Sequence, residues 1–230
     1  MKICFFTENY YKGGLDTFLI NLINAWPDSD DELTLVCNGT HPGLVTIAEK
    51  ANRPVIIKRY YYFFTTMISQ QRAALKWGFS TPVYAFFVIA RRILQYPILF
   101  GWYLLRLTLF FRRSDFDRLM VVNGGYPASL LGRCAVIAWH LAGKKSKAIM
   151  NFHNSSTNSP WYFKFVEYLI DIWVINSVSQ IVTVSRNCLD SLNERAAFRD
   201  CGKGTYILNG INDPLINSKV INKLGCDTDL

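Results

Sequence analysis

Residues 2–26 read KICFFTENYYKGGLDTFLINLINAW, and this stretch decides the fold. The first six residues of the stretch contain a short apolar run, Ile3 to Phe6, of the kind that forms a buried β-strand. The segment 14–26 is typical of a helix, and Pro27 ends it. Two adjacent glycines, Gly13 and Gly14, stand where the strand gives way to the helix. The stretch therefore predicts a strand, a glycine loop and a helix, in that order.

The same alternation of β-rich runs and helical patterns continues along the chain. Strands are predicted at 2–7, 32–38, 54–59, 118–123, 147–153, 180–185 and 205–210. Helices are predicted at 14–26, 43–51, 126–143 with a glycine stop at Gly143, 161–177, and from Arg186 onward. Because the strands read as continuous apolar runs with helices between them, we expect an α/β fold, a parallel sheet with helices on both faces.

Candidate binding residues follow from this fold class, because open parallel sheets bind ligands at the carboxyl ends of their strands. The candidates just after the predicted strands are Gly13, Gly14, Asn38, Gly39, Asn123, Gly124, Gly125, Tyr126, His153, Asn154, Ser185, Asn209 and Gly210. The stretch NGGYP (123–127) pairs a second glycine loop with a helix start at Tyr126-Pro127 and is expected to line a cleft.

Several of these candidates also have a purely structural interpretation. The two glycines at 13–14 are either a plain turn or a loop where backbone approaches a phosphate at a helix start. His153 is either a structural hydrogen-bonding residue or a catalytic one. Ser185 can cap the following helix, and the Asn-Gly pair at 209–210 is a turn signal. Neither a GxGxxG nor a P-loop pattern is present, so a dinucleotide or ATP site lacks its fingerprint.

Taken together and in order, these motifs resemble the N-terminal domain of family 4 glycosyltransferases, which have the GT-B fold. Four elements carry the resemblance: KICFFT running into YYKGGLDTFLINLINAW, the strand AIMNFHN that ends in a histidine, the strand–serine–helix IVTVSRNCLDSL, and YILNGIND. The last is similar to the family's Asn-Gly-hydrophobic-Asp signature, with Asn212 in the usual Asp place and Asp213 following. The resemblance covers roughly 1–60 and 115–230.

The resemblance implies two Rossmann-like domains facing each other across a cleft, and retaining transfer of a sugar from a nucleotide diphosphate. The loop at Gly13 and Gly14 would approach the donor diphosphate and the acceptor, and His153 would contact the transferred sugar as the catalytic residue. The other strand-end residues would bind substrate: Asn123, Gly124, Gly125, Tyr126, Asn154, Ser185, Asn209 and Gly210. The nucleotide sugar is a substrate, so no cofactor and no metal are expected.

The resemblance also sets the expected domain organisation. Residues 1–213 would form the Rossmann-like domain, with a helical insert at about 60–114, and residues 214–230 would be the lead-in to a second domain. The family's donor site, with its Glu-x7-Glu motif, lies in that second domain. We therefore expect the chain alone to be inactive, and to need a C-terminal half supplied in cis or in trans.

The charge is concentrated in one region. The net charge is +8, yet residues 51–114 contain no Asp or Glu. Their ten basic residues are Arg53, Lys58, Arg59, Arg72, Lys76, Arg91, Arg92, Arg106, Arg112 and Arg113. Such a block indicates an anionic partner, either a lipid surface or a nucleic acid.

Residues 83–111, VYAFFVIARRILQYPILFGWYLLRLTLFF, carry much of this charge between apolar side chains. Three interpretations stay open: a core helix with solvated arginines, a helix docked on a membrane surface, and a membrane span. The longest uncharged stretch, Ile93 to Leu105, is shorter than the roughly 20 residues that a span needs. A helical projection groups the arginines on one side and Phe, Leu, Ile and Trp on the other, which favours docking. The expected membrane-surface residues are Arg91, Arg92, Trp102, Arg106, Arg112 and Arg113.

Docking would agree with a lipid-linked acceptor in cell-surface polysaccharide or glycolipid synthesis, at the inner face of the membrane. The six cysteines are scattered without zinc-ligand spacing, so a reduced, cytosolic chain is expected. Two non-enzymatic alternatives remain. One is a nucleic-acid-binding module, although no RNP, KH or zinc-finger pattern is present and we expect no nucleic-acid partner. The other is a membrane-associated scaffold that keeps the half-domain for binding.

Overall fold

The computed structural model describes residues 1–60, 95–159 and 161–209. The strands are β1 (Lys2–Thr7), β2 (Glu32–Asn38), β3 (Val55–Tyr60), β4 (Arg118–Asn123), β5 (Ala148–Phe152), β6 (Val178–Thr183) and β7 (Gly204–Tyr206). The α-helices are α1 (Gly14–Asn24), α2 (Leu44–Lys50), α3 (Gly101–Arg113), α4 (Leu130–Leu141), α5 (Lys164–Ser177) and α6 (Arg186–Asn193). A π-helical turn (Gln95–Phe100) precedes α3, and a 3₁₀ turn (Trp161–Phe163) precedes α5.

All seven strands pair in parallel, in the order β3-β2-β1-β4-β5-β6-β7. The first strand shows why the sequence folds this way. Ile3 and Phe5 belong to the core cluster that α1 and α2 cover, whereas Cys4 and Phe6 belong to the cluster with α3, α4 and α5. Successive side chains of a strand point to opposite faces, so a strand covered on both sides must be apolar throughout. The prediction of a Rossmann-like parallel sheet with helices on both faces is confirmed.

Most predicted boundaries hold to within a few residues. β2 and β4 begin and end as predicted, and β5 ends at Phe152, so His153 is the first residue beyond it. β6 lies two residues earlier than predicted, and β7 is only three residues long.

The predicted helix start at Tyr126-Pro127 is wrong. Helix α4 begins at Leu130, because the Ser129 side chain caps it by accepting a hydrogen bond from the Gly132 amide at 2.8 Å. The Glu8 carboxylate accepts from the Ser129 hydroxyl at 2.8 Å and from the Leu131 amide at 2.7 Å. With these first-turn donors satisfied from outside the helix, the residues before Ser129 form an irregular loop.

The described part of the basic insert begins at residue 95. Tyr103, Leu107 and Phe111 of α3 are buried, and the helix packs against α4. The exposed side carries Trp102 and Leu105 together with the arginines of the helix. The expectation that the tryptophan lies opposite the arginines is therefore wrong, because Trp102 precedes Arg106 by one helical turn. Across the residues that the structure describes, we find no helix with the length and apolar character needed to cross a bilayer.

Five of the six cysteines lie in the described residues, and all five are free thiols. Cys4, Cys37, Cys134 and Cys188 are buried, whereas Cys201 is half-buried. Burial raises the pKa of the Cys37 thiol to about 12 and also raises the pKa values of Cys4 and Cys134. The four buried cysteines act as small core side chains.

Candidate functional site

The site lies where the strand order of the sheet reverses, between β1 and β4. The loops that leave these neighbouring strands run in opposite directions and open a crevice at their carboxyl ends. A cavity of about 300 Å³ occupies this position. Its walls are residues 8–11 and Leu15 after β1, residues 123–126 and 128–129 after β4, and residues 154, 155 and 157 after β5.

Five predicted site residues line this cavity together: Asn123, Gly124, Gly125, Tyr126 and Asn154. The Asn123 side chain donates to the Gly125 carbonyl at 2.5 Å, which shapes the glycine loop. The Tyr126 ring is buried, and its hydroxyl donates to Asp171. Their roles in binding substrate stay predictions, but their convergence at one crevice is a fact of the fold.

The buried carboxylate of Asp16 holds the loop at Gly13 and Gly14 by hydrogen bonds. Asp16 accepts from the Gly13 amide at 3.1 Å and from the Asn9 side chain at 2.9 Å. The same carboxylate lies 2.8 Å from Nε2 of His41, which is also buried. Among the described residues, the first-turn amides of α1 that remain without a partner are those of Gly14 and Leu15.

The fold itself does not need glycine at either position of this loop. Gly13 has an extended backbone with φ of −179°, which any residue can adopt. A Cβ atom on Gly13 or on Gly14 would meet no other atom within 4 Å. By contrast, a Cβ on Gly43 would collide with the carboxylate of Asp16 and the ring of His41. The space in front of Gly13 and Gly14 is therefore open to a ligand that approaches the backbone.

His153 lies beside the first turns of α1. Its amide donates to the Asn123 carbonyl at 3.2 Å, and its ring contacts Phe18 edge-on, with 4.2 Å between ring centroids. Burial lowers the pKa of His153 to about 4, so the imidazole is neutral at pH 7. Its Nε2 atom is buried and has no hydrogen-bond partner within the described residues. His153 does not line the crevice, although its neighbour Asn154 and its backbone partner Asn123 do. An unsatisfied ring nitrogen can bond to a hydroxyl group of a ligand that reaches it.

The other described candidates, including Gly13, Gly14 and His153, do not line this cavity. Ser185 caps α6 by accepting from the Cys188 amide at 3.2 Å, as the sequence predicts. Asn209 is exposed beyond β7, and β4, β5 and β6 separate that strand from β1. Gly210, Arg91 and Arg92 lie outside the described residues. The prediction that no metal or cofactor is required stays a prediction.

Sequence reasoning missed Glu8, Asp16 and His41. Glu8 directly follows β1 and is 5% exposed, and burial raises the pKa of its carboxyl group. An acidic residue immediately after an apolar strand is a signal that could have identified it. An acid three residues after a helix cap is a known capping pattern, which could have identified Asp16. Nothing in the sequence pairs His41 with Asp16, because 25 positions separate them.

Comparison with known proteins supports the fold. No family model matches the chain, and no curated protein is significantly similar to it. Among solved structures, the chain is similar to HepE of Anabaena, crystallised in complex with UDP and glucose, with a TM-score of 0.52 and 14% sequence identity. The match covers 98% of this chain and 50% of the HepE chain, so the chain spans about half the length of that protein. At this identity the similarity establishes a shared fold, and membership of family 4 stays a prediction.

Proposed function

We propose that this chain is the acceptor-side half of a family 4, GT-B glycosyltransferase, which transfers a sugar from a nucleotide-diphosphate sugar with retention of configuration. One observation carries the proposal: the backbone at Gly13 and Gly14 is open at the start of α1, the helix that follows β1 at the strand-order reversal. His153 contacts Phe18 of the same helix and has an unsatisfied ring nitrogen. The shared fold with a protein that binds UDP and glucose supports this assignment.

The charges around the crevice indicate which groups this chain supplies to a bound diphosphate and which must come from a second domain. The amides of Gly14 and Leu15 lie at a helix N-terminus, which favours an anion. The cavity lining contains Glu8 and, among the described residues, no Lys or Arg. Amides alone would leave most of a diphosphate charge uncompensated, so we assign its cationic partners to a second domain, joined in cis or bound in trans. His153 then binds a hydroxyl group of the transferred sugar.

The proposed acceptor is a sugar carried on a lipid, used in cell-surface polysaccharide or glycolipid synthesis. We place the enzyme in the cytoplasm, at the inner face of the membrane. The exposed arginines of α3, Arg106, Arg112 and Arg113, support this location because they would face anionic headgroups.

Reconstitution tests the enzymatic proposal. The chain is combined with the matching C-terminal half, fused or added separately, and assayed with UDP-glucose first and then with other nucleotide sugars. Transfer that needs both halves, with a retained anomeric configuration by NMR, is the expected result. An inverted product would contradict the retaining mechanism. Absence of transfer with every common donor would reject the enzymatic proposal and favour a scaffold that binds without catalysis.

The variant Gly14→Asp tests the role of the loop in the reconstituted enzyme. The substitution puts a side chain and a negative charge into the open space before the helix amides, so transfer should fall by at least about 100-fold. Gly101→Asp is the matched control, because a Cβ there also meets no other atom within 4 Å and Gly101 does not line the crevice. It should leave transfer to a soluble acceptor unchanged. Full activity of Gly14→Asp would reject the phosphate role.

A further inference from the structure

A second cavity lies between the edge strand β3 and helix α3 and shares no lining residue with the crevice. Its volume is about 390 Å³. Its lining includes Lys58, Tyr60, Arg106, Leu109, Phe110 and Arg113. The site assigned above uses none of these residues as substrate ligands.

The regular spacing of α3 builds one wall of this groove. Residues 106, 109, 110 and 113 follow the i, i+3, i+4, i+7 pattern, so they form one stripe along the helix. The Tyr60 ring contacts the Phe110 ring edge-on, with centroids 5.3 Å apart, and this contact joins the strand to the helix. Lys58 precedes Tyr60 by two residues, so it projects from the same face of β3. The base of the groove is thus aromatic, and its rim is cationic.

The positive charge of the groove is only partly offset by the described part of the protein. The Asp115 carboxylate, just beyond the end of α3, interacts electrostatically with Lys58, but its ion pair is with Lys2. Lys58, Arg106 and Arg113 form no ion pair with any described residue. Residues 51–114 contain no Asp or Glu, so the whole stretch from β3 to the end of α3 can supply no carboxylate. Three cations at one groove repel each other, and a bound anion would relieve that repulsion.

An exposed apolar ridge runs beside the groove. Ile98, Trp102, Leu105 and Leu109 are 57%, 54%, 54% and 43% exposed, and their spacing places them in one row. The guanidinium of Arg106 lies 5.9 Å from the centroid of the Trp102 ring. Large apolar side chains that alternate with arginines are typical of helices lying in a membrane interface.

We infer that the groove binds the phosphate headgroup of an anionic phospholipid while the ridge enters the headgroup–acyl boundary. Lys58, Arg106 and Arg113 surround the phosphate, and Tyr60 and Phe110 pack against the glycerol region. A nucleic acid would use the same cations but would gain nothing from burying Ile98, Leu105 and Leu109. The inference rests on the proposed membrane location, and it is independent of sugar transfer.

Vesicle flotation of the full chain tests the inference. Vesicles of phosphatidylcholine alone are compared with vesicles that contain phosphatidylglycerol, at low and at high salt. Each cation near an anionic surface changes the partition coefficient by about fivefold at low salt. The double variant Arg106→Gln/Arg113→Gln should therefore bind anionic vesicles about 25-fold more weakly, with a flatter salt dependence. The variant Trp102→Gln/Leu105→Gln should weaken binding equally at both salt concentrations, because it removes apolar contact rather than charge.

Controls separate charge at this groove from net charge and from misfolding. Lys50→Gln/Arg186→Gln removes two exposed cations elsewhere and should retain most of the binding. Arg106→Lys/Arg113→Lys keeps the charge and should also bind. Equal binding to both vesicle types, or equal losses in the groove and control variants, would overturn the inference. The inference would also be overturned if a single-stranded oligonucleotide bound the chain more tightly than anionic vesicles do and lost affinity for Arg106→Gln/Arg113→Gln. Transfer to a soluble acceptor in a variant that no longer floats would leave the enzymatic proposal intact.

Discussion

His153 is neutral because burial against Phe18 removes the water that would stabilise its charged form. Its Nε2 atom is buried without a partner in the described residues, which costs stability in the free protein. A site that keeps such an atom unsatisfied gains its hydrogen bond when a ligand arrives. This is the property expected of a residue that recognises a sugar hydroxyl.

The titration of His153 is the first prediction. Its ring signal in NMR should titrate near pH 4, and Phe18→Ala should raise that pKa toward 6.5 by admitting water. Since the folded-state pKa lies below the ordinary value, the unfolded chain takes up the proton first. The free energy of unfolding should therefore fall as the pH drops from about 6.5 to about 4. His153→Phe should flatten that slope in urea titrations and identify the signal by its loss. A midpoint near 6.5 in the unmodified protein would contradict the buried, neutral state.

The residues also show how far sequence reasoning reaches at this site. Gly13, Gly14 and His153 could be identified because each follows an apolar strand, and strands are the strongest local signal in the chain. The Asp16–His41 pair could not be predicted, because it depends on how two loops pack after folding. Nor could the sequence show that Ser185 and Asn209 lie away from the crevice, since that depends on strand order.

At the scale of elements, a buried charge cluster holds α4 and α5 to the loop after α6. Arg133 pairs with Glu167 at 2.7 Å, and Arg195 contacts Glu167 at 3.2 Å and Asp171 at 2.7 Å. Arg195 also donates to the Thr157 carbonyl at 2.7 Å, at the rim of the crevice. The cluster therefore connects the helical layer to the wall of the proposed site.

Glu167→Gln should destabilise the protein by about 3–5 kcal/mol, because it removes the buried carboxylate that Arg133 and Arg195 share, and Asp171 is then the carboxylate that Arg195 keeps. Urea denaturation measures the change. Asp190→Ala is the control: its partner Arg186 lies 4.0 Å away, both side chains are exposed, and such pairs contribute about 0–1 kcal/mol. Equal effects of the two substitutions would mean that the cluster is not a buried, mutually dependent network.

Element boundaries were predictable where apolar runs mark them and unpredictable where distant side chains set them. The start of α4 is the clearest case: Tyr126-Pro127 resembles a helix start, but Ser129 and Glu8 supply the capping hydrogen bonds three residues later. Glu8 is more than 120 positions away from the helix that it caps. The arginines of α3 face solvent, and the part of that prediction that is wrong is the place of Trp102, which shares a face with Arg106.

At the scale of the whole molecule, the charge is divided between two regions. Outside residues 51–114 the chain has fifteen basic and seventeen acidic residues, so the entire positive excess belongs to that stretch. A protein with this distribution turns its positive side toward an anionic surface before it makes contact. The crevice between β1 and β4 and the groove between β3 and α3 share no lining residue, so the two proposed sites would not compete for the same side chains.

The buried cysteines make the two core layers separately observable during unfolding. Cys37 lies in the cluster under α1 and α2, whereas Cys134 lies in the cluster under α3, α4 and α5. Only the thiolate reacts with an alkylating agent, and burial suppresses it at both positions, so modification must wait for local or global opening. Mass spectrometry of timed iodoacetamide labelling should find both residues modified at one common rate, after the half-buried Cys201. Faster labelling of one cysteine than of the other would show that the helices on one face of the sheet can open while the helices on the other face stay packed.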